Sequence, residues 1–271
     1  MELSVLKAKR LASWHQDGGE NIPNPAAASD FINRHGFVTL YSASSEVPNL
    51  YWGYVGLADS RAEAKWDSAA GHVYTWRWEL GRTNAAFYGL MAARKPTWIS
   101  WEILPFVLGF GMERRDPEEM YSEGLLSANA MRLARAFDGS DGTLTTKELR
   151  ARAGFPTGKA DRTAYLKALE ELELMLLACK TFSPDGDGED MAHSLVSAHC
   201  RDAVNQSLSM SVEDALVGFL VRYLPNAIYV DVKLLGKHLR LPAAAYASAL
   251  DALQQAGNVT LAEGLAIWIG E

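Results

Sequence analysis

Between Leu125 and Cys200 the hydrophobic positions change period in an order that outlines one motif. In "SANAMRLARAFD", Ala130, Leu133, Ala134 and Phe137 share a helical face. "TKELRARAG" gives a short helix with Leu149 and Ala153 inward and Gly154 as its C-terminal glycine. The stretch "FPTGKADRTAYLKALEELELMLLA" gives a longer helix in which Tyr165, Leu169, Leu172 and Leu176 step by 4, 3 and 4. "LMLLACKTF" leads out as a strand, "SPDGDGED" is a turn, and "AHSLVSAHC" returns as the paired strand. Helix, turn, short helix, longer helix and hairpin together make a winged helix, an elaborated helix-turn-helix.

The last sixty residues follow the same scheme in a different sequence. "SVEDALVGFLVRYLP" is a helix capped by Ser211 and expected to stop before Pro225. "VDVKLLGKHLRL" supplies the short middle helix, "PAAAYASALDALQQAG" has proline at its start and Gly257 at its end, and "VTLAEGLAIWIG" is a terminal hairpin. The first 124 residues are less regular. "AAASDFINRHG" reads as a helix ended by Gly36 and "FVTLYS" as a strand, while "TNAAFYGLMAARK" and "WISWEILPFVLGFG" read as two helices, the second apolar and buried. The expected divisions are therefore 1–124, 125–205 and 206–271, in a mainly α chain with small β-hairpins, an α+β class.

Composition narrows the setting. The hydrophobic fraction is 48% and the charged fraction 22%, which excludes a disordered chain. No apolar run approaches the length of a membrane span, and the basic residues of "MELSVLKAKRLASW" follow the apolar ones, the reverse of a secretory signal. Two cysteines make no disulfide framework, so a cytoplasmic location is expected. The net charge of -7 is unevenly spread: residues 125–182, with 9 basic and 7 acidic side chains, are the one positive segment. Six of the eight tryptophans (Trp52, Trp66, Trp76, Trp78, Trp98 and Trp101) lie between 52 and 101, as core or as a groove that stacks flat ligands.

Candidate chemistry begins with "DGSDGTLTTKEL", which looks like a calcium loop. With Gly142 at the sixth place, Glu148 falls at the twelfth, but the first and third places fall on Phe137 and Gly139, which carry no side-chain oxygen. Thr145 with Glu148 reads instead as a capping box after a turn. In a helix-turn-helix the second helix enters the major groove by its N-terminal end. Here that end offers Lys159, Arg162, Thr163 and Lys167, with Arg150 and Arg152 on the preceding helix placed for phosphates. The opposing reading is a solvated face, since the same helix carries Glu170, Glu171 and Glu173, and the acidic wing tip (Asp185, Asp187, Glu189 and Asp190) repels a phosphate backbone. Lys233, Lys237, His238 and Arg240 form a thinner basic set read as ordinary surface. Cys179, His193, His199 and Cys200 share the predicted hairpin but match no common zinc spacing, so no metal is expected. There is no nucleophile motif and no Gly-rich phosphate loop.

"FINRHGFVTLYSASSEVPNLYWG" together with "TWRWELGRTNAAFYGLMAARKPTWISWEILPFVL" resembles the winged-helix DNA glycosylase superfamily of AlkZ and YcaQ, and looks closest to its shorter AlkZ-related branch. The resemblance implies three tandem winged helices around a DNA channel, the first an expanded one, and excision of alkylated or crosslinked bases in DNA repair without a cofactor. The family's catalytic glutamine-x-glutamine or glutamine-x-aspartate follows a "GF-V" strand, and its two places fall here on Thr39 and Tyr41, neither of which is a carboxylate or an amide. Glu79 and Glu102 are the remaining acids near aromatic residues, where burial raises a carboxyl pKa. The leading expectation is a duplex-DNA-binding protein without that chemistry. The alternatives are a glycosylase rebuilt around Tyr41 and Glu79, or a protein-interaction module with a protein partner. No membrane partner is expected.

Overall fold

After an N-terminal helix, α1 (Leu3–Ser13), the backbone three times runs helix, strand, helix, helix, strand, strand. The first pass is α2 (Pro25–His35), β1 (Phe37–Thr39), α3 (Leu50–Val55), α4 (Ala69–Arg82), β2 (Phe87–Leu90) and β3 (Pro96–Ile99), followed by the connectors α5 (Leu104–Gly111) and α6 (Pro117–Ser122). The second is α7 (Ala128–Arg135), β4 (Thr143–Thr145), α8 (Thr146–Arg152), α9 (Lys159–Leu174), β5 (Ala178–Phe182) and β6 (Met191–Leu195), followed by α10 (Val196–His199) and α11 (Arg201–Leu208). The third is α12 (Val212–Ala227), β7 (Tyr229–Asp231), α13 (Val232–Leu239), α14 (Ala243–Gln255), β8 (Val259–Ala262) and β9 (Leu265–Trp268). The computed structural model describes residues 2–155, 158–183 and 191–270. Asp185, Asp187, Glu189 and Asp190 lie outside the described residues, as does the side chain of Lys159.

Each pass closes a small antiparallel sheet in which the last strand sits between the other two, in the orders β1-β3-β2, β4-β6-β5 and β7-β9-β8. The chain is α+β, and this repeated order is consistent with the winged helices expected from the sequence. Local chemistry sets the helix starts. The side chains of Asn24, Ser127, Ser211 and Asp231 each accept a backbone N–H at a helix start, and Thr145 with Glu148 forms the expected capping box. The string that resembles a calcium loop is thus β4 and the start of α8, and among the described residues no group of three metal-binding side chains exists.

Four expectations fail; one is the return strand of the second unit, which ends at Leu195 where Val196–His199 turn into α10, so His199 and Cys200 lie beyond the hairpin. Residues 83–95 are not a helix: Phe87–Leu90 is a strand paired with Pro96–Ile99, in the register Tyr88↔Trp98 and Phe87↔Ile99. Both faces of this hairpin are covered, so its apolar residues run on without alternation and mimic a buried helix. Its turn takes Ala93 and Arg94 at positive φ, which the sequence does not announce. The helix of "WISWEILPFVLGFG" accordingly begins only at Leu104. Helix α12 runs through Pro225 to Ala227, because a proline in the last turn forfeits only its own N–H bond; Ile228, at φ 67, then ends it.

The core explains why the units do not separate along the chain. One apolar cluster joins Phe37, Ile99, Leu104 and Val107 of the first unit and its connector to Phe219, Leu220, Tyr223 and Leu250 of the third. Gly218 lets α12 approach α5 closely, since a Cβ there would lie 2.3 Å from Phe106 Cε1. The second unit has its own cluster, including Leu133, Leu149, Tyr165, Leu169 and Leu172. It docks on the first through Phe182, whose ring centroid lies 5.6 Å from Trp78, 5.8 Å from Tyr88 and 6.3 Å from Trp98. Among the described residues no helix is long and apolar enough to cross a membrane.

Candidate nucleic-acid interface and an aromatic pocket

Helix α9 buries Tyr165, Ala168, Leu169 and Leu172, and turns Arg162, Thr163, Leu166 and Lys167 outward. The three glutamates that favour a solvated face are all committed elsewhere. Glu170 takes Arg94 at 2.9 Å, Glu171 accepts the Ser127 amide and hydroxyl at 2.7 and 2.6 Å, and Glu173 is buried against Lys180 at 2.9 Å. Burial raises the Glu173 carboxyl pKa, and Lys180 only partly opposes it. Asp161 stays in the first turn, where it complements the helix dipole. Arg162 and Lys167 make no ion pair among the described residues. The two expected phosphate-binding arginines on α8 diverge: Arg152 is exposed, whereas half-buried Arg150 leans over the Tyr165 ring at 5.5 Å.

The thinner basic set in the third unit is not ordinary surface throughout. His238 Nδ1 lies 2.6 Å from Ser44 Oγ, and Arg240 donates to the Leu174 carbonyl at 2.7 Å, closing the C-terminal end of α9 from another unit. Lys233 and Lys237 are exposed.

The places that the resemblance assigns to catalysis are well defined. Thr39 is fully buried in β1, opposite Thr97, and its hydroxyl donates to the Pro48 carbonyl at 3.4 Å. The Tyr41 hydroxyl donates to the Ala70 carbonyl at 2.8 Å, and burial lifts its pKa. Tyr41 lines a cavity of about 380 Å³ with Trp66, Tyr74, Ala70, Lys65 and Glu63. Trp66 is 66% exposed and meets Tyr74 edge-on at 5.6 Å. The tryptophan cluster therefore splits, with Trp76, Trp78 and Trp98 buried as core and Trp66 forming a pocket wall. Glu79 is exposed on α4 and is not among the residues lining that cavity; Glu102 pairs with Arg222 at 2.9 Å.

Cys179 and Cys200 share one apolar cluster, but among the described residues the histidines do not join them as a group. Cys179 pairs with Ser194 across the sheet and His193 with Lys180, so Cys179 and His193 point to opposite faces. Burial pushes the Cys179 thiol pKa well up and that of Cys200 to about 12, as expected of inert core thiols.

One network has no counterpart in the sequence pattern. The buried Arg10 and Glu46 pair at 3.2 Å; Arg10 also donates to Ser45 and Ala227 carbonyls at 3.0 and 3.1 Å and to that of Tyr229. Glu46 accepts the Asp231 amide at 2.8 Å and the Ser45 hydroxyl at 2.9 Å, and its carbonyl takes the Tyr223 hydroxyl. These residues lie far apart in sequence and carry no motif, so only the fold brings them together.

Comparisons with known proteins agree with this architecture. No curated protein matches the chain in sequence. Among solved structures the chain is similar to Streptomyces sahachiroi DNA glycosylase AlkZ, with a TM-score of 0.53 and 14% identity, over 97% of this chain and 69% of that one. At that identity the likeness concerns the fold. A family model described as "AlkZ related" matches residues 22–201, more than half of the sequence, and the chain belongs to the AlkZ-related family.

Proposed function

We propose that this protein binds duplex DNA through the N-terminal half of α9 and lacks the base-excision chemistry of the DNA glycosylase it resembles. In this reading the units 1–124, 125–205 and 206–271 act as one body that presents the helix. The observation that carries it is the disposition of charge on α9. Its glutamates are spent on Arg94, Ser127 and Lys180, while Arg162, Thr163 and Lys167 face outward at the end that a helix-turn-helix places in the major groove. Absence of the chemistry is supported by Thr39 and Tyr41, whose hydroxyls donate to backbone carbonyls and which supply neither a carboxylate nor an amide at the two places where the resemblance puts catalysis.

Fluorescence anisotropy of labelled duplex DNA at several salt concentrations tests this. Binding weakens with salt, and the Arg162→Ala, Lys167→Ala double variant lowers the magnitude of the log–log slope by about one for each phosphate it no longer neutralises. No binding at low salt would eliminate the reading and leave a protein-interaction module. The aromatic cavity favours a second reading, an active glycosylase. A pocket walled by Tyr41, Trp66 and Tyr74 has the stacking surfaces that an extruded base needs. Release of base from an alkylated duplex, abolished by Trp66→Ala, would establish it.

A further inference from the structure

Among the described residues nine non-glycine residues adopt positive φ, and four of them gather where the three units meet: Ala93 (47°), Arg94 (61°), Leu176 (54°) and Arg240 (54°). Each such conformation is strained for a residue with a Cβ and persists only where surrounding structure holds it. Arg94 sits in the turn between β2 and β3, Arg240 closes α13, and both reach the C-terminal half of α9. Arg94 bonds Glu170, and Arg240 bonds the carbonyl of Leu174. Those partners are four residues apart, one helical turn, so both guanidiniums reach the same end of α9. Burial first and then the charge of Arg94 lower the Arg240 pKa. Two like charges are thus held together on strained backbone in a protein of net charge -7.

Glu170 answers only one of them. A guanidinium has five donors, and each arginine spends one on α9 in the bonds described. The Arg94 side chain is 60% exposed. Thr163, Lys167 and Glu170 follow one another along a single side of α9 in steps of 4 and 3, so the arginine pair continues the line of Lys167 toward the helix end.

We infer that Arg94 and Arg240 together form a phosphate-group site at the seam of the three units. Planar guanidiniums on adjacent turns match the tetrahedral arrangement of phosphate oxygens. A bound dianion or phosphodiester also supplies the negative charge that Glu170 alone does not. This deepens the DNA reading, on which it rests for its expected source of phosphate: the backbone of the same duplex, one turn beyond Lys167. A free phosphate group is the other source with the same chemistry.

The test uses the full chain with Arg94→Gln, Arg240→Gln and the double variant, alongside Arg94→Lys and Arg240→Lys, all first shown to keep the wild-type melting temperature within a few degrees. For duplex DNA, the double Gln variant is expected to lose several-fold in affinity at low salt and to lower the slope magnitude by about 0.9 for each phosphate left without its cation, with the Lys variants near wild type in slope. Inorganic phosphate, titrated against the arginine Nε–H resonances, is expected to shift both signals saturably in wild type. Phosphate binding with an unchanged DNA slope assigns the site to a free phosphate group. Affinity lowered at an unchanged slope, with no phosphate response, reduces the pair to a clamp on α9 and overturns the inference, as does wild-type behaviour in both assays. If instead Arg162→Ala, Lys167→Ala leaves DNA affinity intact, the α9 reading fails while the phosphate titration still decides the seam.

Discussion

Replacing Glu46 with alanine separates burial from hydrogen-bond length as the source of stability. The Arg10–Glu46 pair is long, at 3.2 Å, but its side chains are only 7% and 4% exposed. The Arg135–Glu118 pair is shorter, at 2.6 and 2.7 Å through two bonds, with side chains 54% and 55% exposed. Geometry alone ranks the second pair first. Desolvation reverses the order: removing Glu46 strands the Arg10 guanidinium among carbonyls, beneath the Tyr229 ring 3.5 Å from its centre, where water does not reach it. Breaking a buried pair in this way costs about 3–5 kcal/mol, and the Asp231 amide loses its acceptor as well. Glu118→Ala should cost far less, because an exposed pair is solvated and screened. At about 2–4 °C per kcal/mol for a chain of this size, Glu46→Ala lowers the melting temperature by roughly 6–20 °C, and Glu118→Ala shifts it much less. Calorimetry and urea titration of both variants measure this. Because Arg10, Glu46 and Asp231 tie α1 and the loop after β1 to the third unit, the Glu46 variant should also broaden the transition or split it in two. The double change Arg10→Met, Glu46→Leu should be milder than Glu46→Ala, since it leaves no unpaired charge. A Glu46→Ala loss no larger than that of Glu118→Ala would refute the reasoning.

Two further outcomes follow from the core. His35 is buried against Phe31 with its pKa lowered to about 3, by burial first and by the charge of Arg34 next, so the unfolded chain binds the extra proton. Its contribution is complete above pH about 6.5 and lost as pH falls toward 3; urea titrations should show His35→Phe flattening the decline between pH 7 and pH 4.5 by about 2–3 kcal/mol, and equal slopes in the two proteins would count against it. Gly81→Ala in α4 would ordinarily gain about 1 kcal/mol of helix stability, but its Cβ would lie 2.2 Å from Phe182 Cδ2, so thermal melting should show a net loss of about 1–3 kcal/mol, partly relieved in a Phe182→Leu background.

The two later units were readable from the sequence because each obeys one local rule at a time. Apolar residues step by 3 and 4, cap residues open α7, α8, α12 and α13, and Gly154 and Gly257 sit at positive φ where helices end. The first unit breaks those rules. Helix α4 places Trp76, Trp78 and Leu80 in the core on a pattern that alternates like a strand, while β2 and β3, covered on both faces, show no alternation. Of the candidate site, the outward cations of α9 were legible because helix phase alone determines them. What was not legible is which charges cancel. The sequence sets Glu170, Glu171 and Glu173 beside Lys167 and reads a mixed surface, whereas the fold draws each glutamate to a partner from elsewhere.

That redistribution argues against treating the second unit as a reader of DNA on its own. Its helix is held at the far end by Arg94 of the first unit and Arg240 of the third, and its sheet is anchored by Phe182 in the aromatic cluster of the first. An isolated winged helix would need only its own three helices and sheet, and nothing in that motif asks for arginines in left-handed backbone at a distance in sequence. Their presence makes the direction in which α9 points a property of the whole chain. The cations near α9 come from all three units, while its acids are taken up by Arg94 from the first unit and by Ser127 and Lys180 within the second.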